Sequence, residues 1–171
     1  MKKSKLFKLC CSAVFAAVIC ILTFQFPIPF NKGYINFGDC FVIIAAVCIG
    51  PLWGGLAAGL GSGLSDLFLG YTYYAPVTFI VKWLMAVGCY FVFKAILKIN
   101  KKLRPLGIIL GSVTAEIIMI LGYFIYEIFI YGFGVAIADV IGNAIQGGIG
   151  VLSASLVYLL LYKTGVIKKL F

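Results

Sequence analysis

The chain has 171 residues, of which 64% are hydrophobic and only 11% are charged, and its mean hydropathy is +1.16. Soluble domains are about 45–50% apolar and about 25% charged, so this composition excludes an ordinary soluble protein and predicts an integral membrane protein. Since a membrane-crossing helix needs about 20 mostly apolar residues, the chain has room for roughly six such helices and for no separate soluble domain.

The net charge of +9 would suggest a nucleic-acid partner if the protein were soluble. Apart from Lys32 and Lys82, however, the basic residues fall into three short segments: Lys2, Lys3, Lys5 and Lys8; Lys94, Lys98, Lys101, Lys102 and Arg104; and Lys163, Lys168 and Lys169. Cytoplasmic loops of membrane proteins carry such an excess of Lys and Arg. We therefore expect cytoplasmic termini, a cytoplasmic central connection, an even number of spans and no nucleic-acid partner.

Three transmembrane spans are predicted in the first half of the chain. The first covers about residues 6–26 and stops at the prolines of an outer loop, 27–36, because proline cannot continue a helix. The second, about 37–49, is short and ends at a Gly-Pro turn. The third, about 52–69, is rich in glycine, and small residues let helix backbones approach closely in lipid. We expect the third span to pack inside the bundle.

Three more spans are predicted in the second half. A tyrosine-rich outer loop at 70–76 leads into the fourth span, about 77–97, and a basic connection at 99–105 leads into the fifth, about 106–130. A third outer loop is expected at 131–138, before the sixth span at about 139–162. The sequence thus predicts an all-α bundle of six transmembrane helices, a single membrane domain over residues 1–171, with cytoplasmic N and C termini.

Polar side chains recur at helical spacing on three of these spans. An ionisable group inside a span costs about 2.5–3.5 kcal/mol and normally faces a cavity or the bundle interior. Residues three or four apart, or seven apart, share one helix face. Such stripes are formed by Tyr74, Thr78 and Lys82 on the fourth span, by Glu116, Tyr123 and Glu127 on the fifth, and by Asp139, Asn143 and Gln146 on the sixth.

The three stripes predict one shared cavity in the outer half of the membrane. Tyrosine offers a ring for stacking and a hydroxyl that can orient a polar ligand. The candidate binding set is completed by residues in or beside the outer loops: Asn36, Asp39 and Tyr71. Two alternatives stay open: Lys82 could form a structural ion pair with Glu116 or Glu127 while the amides bond across helices, and Asp39 and Asp66 could cap helices or fix loops.

Catalysis and metal binding find no support in the residue types present. The chain has no histidine, and its six cysteines form no CxxC pair, so neither a general base of that type nor a zinc site is expected. An ATP-binding loop of the GxxxxGK[ST] type is also absent. We expect no enzyme activity and no cofactor, and we interpret Cys10 and Cys11 as small apolar filler, with acylation as the alternative.

Four segments carry a resemblance to a known family: Gly-Tyr-Ile-Asn-Phe-Gly-Asp at 33–39, Gly-Pro-Leu-Trp-Gly-Gly at 50–55, Gly-Ser-Gly-Leu-Ser-Asp at 61–66, and the stretch 70–82. The chain resembles the S components of energy-coupling factor (ECF) transporters, in the riboflavin-type branch that also includes pyridoxine and hydroxymethylpyrimidine carriers. The resemblance implies a multi-pass protein of the bacterial cell membrane that binds a vitamin from outside. It also implies as partners a transmembrane coupling subunit and two ATPase subunits.

A docking patch is implied by the same resemblance. In this family an Ala-x-x-x-Ala patch on the first span contacts the coupling subunit, and Ala13 and Ala17 match it, with Ala16 adjacent. Ordinary packing of the first span is the alternative. Pyridoxine or a related pyrimidine is the favoured vitamin, with riboflavin next. The competing functions are a self-sufficient secondary transporter or channel, coupled to protons through Glu116 or Glu127, and a membrane scaffold without a ligand.

Overall fold

A computed structural model describes residues 4–167, which form six α-helices, one short 3-10 helix and one antiparallel β-hairpin. The basic residues Lys2, Lys3, Lys168 and Lys169 lie outside the described residues. The elements in chain order are α1 (Lys5–Gln25), β1 (Ile28–Phe30), β2 (Gly33–Ile35), α2 (Asp39–Ile49), α3 (Pro51–Leu69), α4 (Ala75–Ile99), the 3-10 helix (Lys101–Leu103), α5 (Arg104–Tyr131) and α6 (Phe133–Lys163).

Helix α2 is the centre of the bundle. It contacts α1, α3, α4 and α6, and eight of its eleven residues are buried. The remaining helices pack as sequential neighbours, α3 on α4, α4 on α5 and α5 on α6, while α1 packs mainly on α3. Large apolar side chains on the outer faces of the long helices are exposed, as expected where lipid is the solvent. The predicted helical bundle is therefore confirmed.

Helix α3 packs closely against α1 and α2 because its glycines remove the side chains that would keep these helices away. At Gly61 an added Cβ would lie 2.6 Å from the backbone oxygen of Ala16 on α1. At Gly54 it would lie 2.7 Å from the Cα of Ala46 on α2. Both contacts involve backbone atoms that cannot rotate away, so the small residues are required by the close helix packing.

The connection between α1 and α2 contains a β-hairpin. Strands β1 and β2 pair with Ile28 opposite Ile35 and Phe30 opposite Gly33. The turn is two residues long, and Asn31 adopts a φ of +46°, which asparagine tolerates better than most residues. The Phe30 ring lies against Gly142 of α6. The hairpin is thereby held over one end of the bundle.

The predicted third outer loop, residues 131–138, is wrong. Helix α5 continues to Tyr131 and α6 begins at Phe133, so Gly132 is the whole connection between them. Gly132 has a φ of +85°, a conformation that glycine adopts without strain. The glycines at 132 and 134 suggested a loop, but only the first is a turn residue. The second lies in the first helical turn of α6.

Within residues 4–167, four helices are long and apolar enough to cross a membrane by themselves: Lys5–Gln25, Ala75–Ile99, Lys101–Tyr131 and Phe133–Lys163, the third of these including the 3-10 helix. Helix α2 is apolar but has only 11 residues, a length of about 16 Å against a hydrocarbon core of about 30 Å. The chain is a membrane protein with a six-helix bundle. That all six helices cross, and that both termini are cytoplasmic, stays a prediction.

Candidate binding site

A small cavity of about 40 Å³ lies at the hairpin end of the bundle. Ligand-binding pockets combine apolar or aromatic walls with a few polar groups. This cavity has that character, since tyrosine rings, amides, hydroxyls and charged groups surround it. Its lining residues are Thr23, Gly33, Tyr34, Asn36, Ser62, Asp66, Tyr71, Tyr74, Thr78, Lys82, Tyr123, Glu127, Asn143 and Gln146.

A buried ion pair lies beside the cavity. The Lys82 ammonium group on α4 contacts the carboxylate of Asp39 at the start of α2, and both side chains are almost fully buried. The second Asp39 oxygen accepts a hydrogen bond of 2.6 Å from the Gln146 amide on α6. Lys82 thus pairs with Asp39 and not with Glu116 or Glu127. Such a pair persists in an apolar interior only when further hydrogen bonds satisfy it.

The network continues from the ion pair to the hairpin. The Gln146 side-chain oxygen accepts hydrogen bonds from the Asn36 backbone N–H at 2.9 Å and from the Asn36 amide at 3.2 Å. The Asn36 side-chain oxygen in turn accepts the N–H of Gly38 at 2.9 Å. Hydrogen bonds therefore join α4, α2, α6 and the residue after β2, so the position of the hairpin depends on the same groups that line the cavity.

A second attachment of the hairpin is made by Tyr34. Its hydroxyl donates a hydrogen bond to the carboxylate of Asp66 near the end of α3. Burial, followed by the nearby Asp66 charge, raises the pKa of the Tyr34 hydroxyl above its ordinary value, so it remains a protonated donor. The Tyr34 ring also lies 5.1 Å from that of Tyr71, measured between ring centroids. The cavity wall on this side is consequently aromatic.

Another part of the wall is built by α4 and α5. The Tyr123 hydroxyl donates to the Thr78 hydroxyl at 3.1 Å, and the Tyr74 hydroxyl donates to the Glu127 carboxylate at 3.3 Å. The Lys82 ammonium lies 5.9 Å from the centre of the Tyr123 ring. These contacts position two tyrosine rings and one carboxylate around the cavity, which is an arrangement suited to a ring-shaped ligand.

Several buried carboxylate oxygens have no hydrogen-bond partner within residues 4–167. They are one oxygen of Asp66, one of Glu127, and both oxygens of Glu116 and of Asp139. The first two residues line the cavity. A buried acceptor without a donor costs about 1–3 kcal/mol. The unpaired oxygens of Asp66 and Glu127 therefore favour a ligand that brings N–H or O–H groups into the cavity. No cluster of three or more metal-ligating side chains occurs in the described part of the chain.

Nine of the twelve residues proposed from the sequence as binding residues line this cavity: Asn36, Tyr71, Tyr74, Thr78, Lys82, Tyr123, Glu127, Asn143 and Gln146. The other three do not. Asp39 lies behind Lys82 as its partner. Glu116 is buried against Gly147 and Gly150 of α6. Asp139 lines a smaller neighbouring cavity beneath the hairpin, together with Phe30.

Five lining residues were missing from that set: Thr23, Gly33, Tyr34, Ser62 and Asp66. Thr23 lies in an apolar run, and nothing in its local pattern distinguishes it. The other four did have a signal, since Gly33, Tyr34, Ser62 and Asp66 all fall in the segments that carry the family resemblance. The hydrogen bond between Tyr34 and Asp66 shows that Asp66 fixes the hairpin as well as lining the cavity.

The predicted docking patch divides between two faces of α1. Ala13 and Ala17 are exposed, whereas Ala16 is half-buried and lies against Gly61 of α3. Only three residues of α1 are buried, so most of this helix is a peripheral surface of the bundle. The two exposed alanines are four residues apart and share one face.

A family model described as "ECF-type riboflavin transporter, S component" matches residues 3–163. The chain belongs to this family of ECF S components. An S component is a transport subunit, and the family is not one of enzymes. The resemblance found in the sequence is thus confirmed over nearly the whole chain.

Two similar proteins extend this result. A protein from Pyrococcus woesei, described as "Uncharacterized protein in gap 3'region", is 33% identical over 153 residues, which are 89% of this chain and 99% of that protein. A solved structure described as "Structure and mechanism of the S component of a bacterial ECF transporter" has a TM-score of 0.64 and 24% identity to this S component. The match covers 94% of this chain and 96% of the solved chain, which supports the fold described above.

Proposed function

We propose that this S component captures a small heteroaromatic vitamin from outside a bacterial cell for ATP-driven uptake. The observation that carries the proposal is the cavity at the hairpin end, where tyrosine rings, the Lys82–Asp39 pair and three amide side chains converge. Rings supply stacking surfaces, and the polar groups fix the orientation of a ligand. Membership of the S-component family supports the same function.

We favour a vitamin with one ring and several hydrogen-bond donors, because the cavity is small and its unpaired buried side-chain atoms are acceptors. Asp66 and Glu127 each have one buried carboxylate oxygen without a hydrogen-bond partner in residues 4–167. A ligand N–H or O–H would remove the free-energy cost of leaving these acceptors unpaired. Pyridoxine carries three hydroxyl groups on one ring, and hydroxymethylpyrimidine carries an amino group and a hydroxyl. Riboflavin is the second candidate, because the description of the matching family names it.

A direct titration tests the substrate. The purified chain, freed of bound ligand, is titrated by calorimetry with pyridoxine, hydroxymethylpyrimidine and riboflavin in parallel. We expect one of the single-ring compounds to bind at least tenfold more tightly than riboflavin. Tight binding of riboflavin alone would keep the cavity as the site but overturn the single-ring preference. Binding of none of the three would favour the scaffold alternative.

The membrane topology belongs to the same proposal. We place all six helices across the bacterial cell membrane, with both termini and the basic 99–105 connection in the cytoplasm. In a cysteine-free background, an impermeant maleimide added to intact cells should label Lys32→Cys, which lies exposed in the hairpin turn. It should not label Lys5→Cys at the start of α1. The reverse pattern would invert the bundle and contradict capture from outside.

Docking to an energising module of one coupling subunit and two ATPases is assigned to the exposed Ala13 and Ala17 face of α1. Small side chains at this spacing permit close helix contact in lipid. Ala17→Trp should prevent co-purification with the coupling subunit while leaving the vitamin dissociation constant within twofold of the parent. Leu152→Trp, at an exposed position of α6, is the matched control and should leave the complex intact.

Uptake measurements separate this function from a self-sufficient transporter. In proteoliposomes, the chain together with the coupling and ATPase subunits should accumulate the vitamin only when ATP is present. The chain alone should bind the vitamin without accumulating it. Accumulation by the chain alone, driven by a proton gradient, would replace the proposal with the secondary-transporter alternative.

A further inference from the structure

A second cavity lies at the end of the bundle opposite the hairpin. Its volume is about 410 Å³. It is bordered by the start of α1, the turn between α2 and α3, the end of α4, the start of α5 and the end of α6. The lining residues are Phe7, Lys8, Val47, Cys48, Ile49, Gly50, Tyr90, Phe93, Lys94, Leu97, Arg104, Tyr158, Tyr162 and Ile167.

Among residues 4–167, all the charged side chains that line this cavity are basic. Lys8, Lys94 and Arg104 line it, and none of the five acidic side chains of the chain does so. All five, at positions 39, 66, 116, 127 and 139, are buried around or beneath the hairpin-end cavity. Three cations around one cavity without an acidic side chain repel each other. An anion from outside the chain would remove that repulsion.

Arg104 is held in a fixed orientation within the cavity. One guanidinium nitrogen donates a hydrogen bond of 2.6 Å to the Tyr158 hydroxyl. The guanidinium carbon lies 4.3 Å from the centre of the Tyr162 ring and 5.9 Å from that of Phe93. The Nε of Arg104 is buried and has no hydrogen-bond partner within residues 4–167. A guanidinium has five N–H donors and matches the oxygens of a phosphate group in pairs, so donors remain for a ligand.

We propose that this cavity is a binding site for a phosphate group, with Arg104 as its main contact and Lys8 and Lys94 as supporting cations. Two sources share this chemistry, the headgroup of an anionic phospholipid and a soluble phosphate. The apolar lining residues Val47, Ile49 and Leu97 favour the phospholipid, because acyl chains can lie beside them. The site is independent of vitamin capture, since no residue lines both cavities.

Lipid titration of the purified full-length chain tests the proposal. Binding of dioleoyl-phosphatidylglycerol and of dioleoyl-phosphatidylcholine is measured by native mass spectrometry for the parent and three variants. Arg104→Gln and Lys94→Gln should each weaken phosphatidylglycerol binding, the first by about tenfold, because charge-assisted hydrogen bonds are lost. The matched control is Lys98→Gln, which removes the same charge one helical turn from Lys94 but outside the cavity. It should change binding less than twofold.

Each outcome decides a part of the proposal. A preference for phosphatidylglycerol that depends on Arg104 and Lys94 supports a lipid source. Thermal stabilisation by millimolar inorganic phosphate, lost in Arg104→Gln, supports a soluble source. Equal binding of the two lipids without a phosphate effect, or an equal loss in Lys98→Gln and Lys94→Gln, overturns the site in favour of general surface attraction. Since Lys94 is exposed, its variant remains informative if Arg104→Gln fails to fold.

Discussion

The two cavities of this S component lie at opposite ends of one helical bundle and differ in how their charges are compensated. At the hairpin end, the Lys82 ammonium pairs with Asp39, whose second oxygen is satisfied by Gln146. At the other end, Arg104 contacts aromatic rings and one hydroxyl and meets no acidic side chain. The first end has acceptors in excess, and the second has cationic donors in excess.

This difference in charge compensation shows that net charge alone does not define a binding site. Positive charge at the cytoplasmic end of a membrane protein follows from topology and by itself requires no ligand. What distinguishes Arg104 is that its guanidinium is drawn into a cavity with a buried N–H left unpaired among residues 4–167. Exposed lysines such as Lys98 carry the same charge in solvent. A place in the cavity wall, together with the buried unpaired N–H of Arg104, therefore separates this site from a topological signal.

The largest effect is expected from breaking the ion pair at the hairpin end. Lys82→Met leaves the Asp39 carboxylate buried without its cation, which should lower the free energy of unfolding by about 3–5 kcal/mol. Thermal unfolding in detergent measures the loss. The double variant Lys82→Met/Asp39→Asn should recover much of it, because no uncompensated charge remains. Losses that simply add would show that the two residues do not stabilise each other.

A smaller effect, confined to the ligand, is expected at Asn143. This side chain lines the hairpin-end cavity but takes no part in the hydrogen bonds that join Lys82, Asp39 and Gln146. Asn143→Ala should raise the vitamin dissociation constant about tenfold, since one ligand group loses its partner, with little change in unfolding temperature. Ile141→Val, on the exposed face of α6, is the control. Unchanged affinity in Asn143→Ala would remove this residue from the site.

The attachment of the hairpin to α3 is tested by Tyr34→Phe. Loss of the hydrogen bond to Asp66 should cost about 1 kcal/mol and raise the vitamin dissociation constant about fivefold, because the lining ring is less well held. The measurement is a calorimetric titration beside Tyr73→Phe, whose parent side chain is 83% exposed. Equal effects in the two variants would mean that the contact between Tyr34 and Asp66 does not order the cavity.

The smallest effect on the vitamin is expected from a change at the opposite end. Tyr158→Phe removes the hydroxyl that orients Arg104 and should lower the free energy of unfolding by about 1 kcal/mol. The vitamin dissociation constant should stay within twofold of the parent. Tyr90→Phe, which keeps the ring beside Lys94, serves as the control in both assays. A tenfold loss of vitamin affinity in Tyr158→Phe would show that the two cavities are coupled.

Local patterns in the sequence were sufficient to predict most helices and much of the cavity wall. Runs of apolar residues fixed the approximate ends of α1 to α5, and helical spacing brought Tyr74, Thr78 and Lys82 onto one face, where the structure also has them. The spacing arguments succeeded because they concern one helix at a time. They failed at Glu116, which shares the Tyr123 face but lies too deep in the bundle to reach the cavity.

Contacts between distant segments could not be predicted in this way. Lys82 and Asp39 are 43 residues apart, and nothing local to either residue distinguishes Asp39 from Glu116 or Glu127 as the partner. Tyr34 and Asp66 are 32 residues apart, and their hydrogen bond could likewise not be predicted from local sequence. The hairpin was also missed, because Pro27 and Pro29 indicated a loop and strands of only three residues leave almost no alternating pattern.

The single-residue connection at Gly132 has a consequence for the kinetics of ligand exchange. Helix α5 ends at Tyr131 and α6 begins at Phe133. Because a single residue connects them, the two helices cannot move apart at this end of the bundle. The hairpin, by contrast, is joined to α1 and α2 by short non-helical segments and fastened by side-chain hydrogen bonds. We therefore expect the dwell time of a bound vitamin to be set by how often the hydrogen bonds of Tyr34 and Asn36 break and the hairpin moves. Helices α5 and α6 are expected to stay in place.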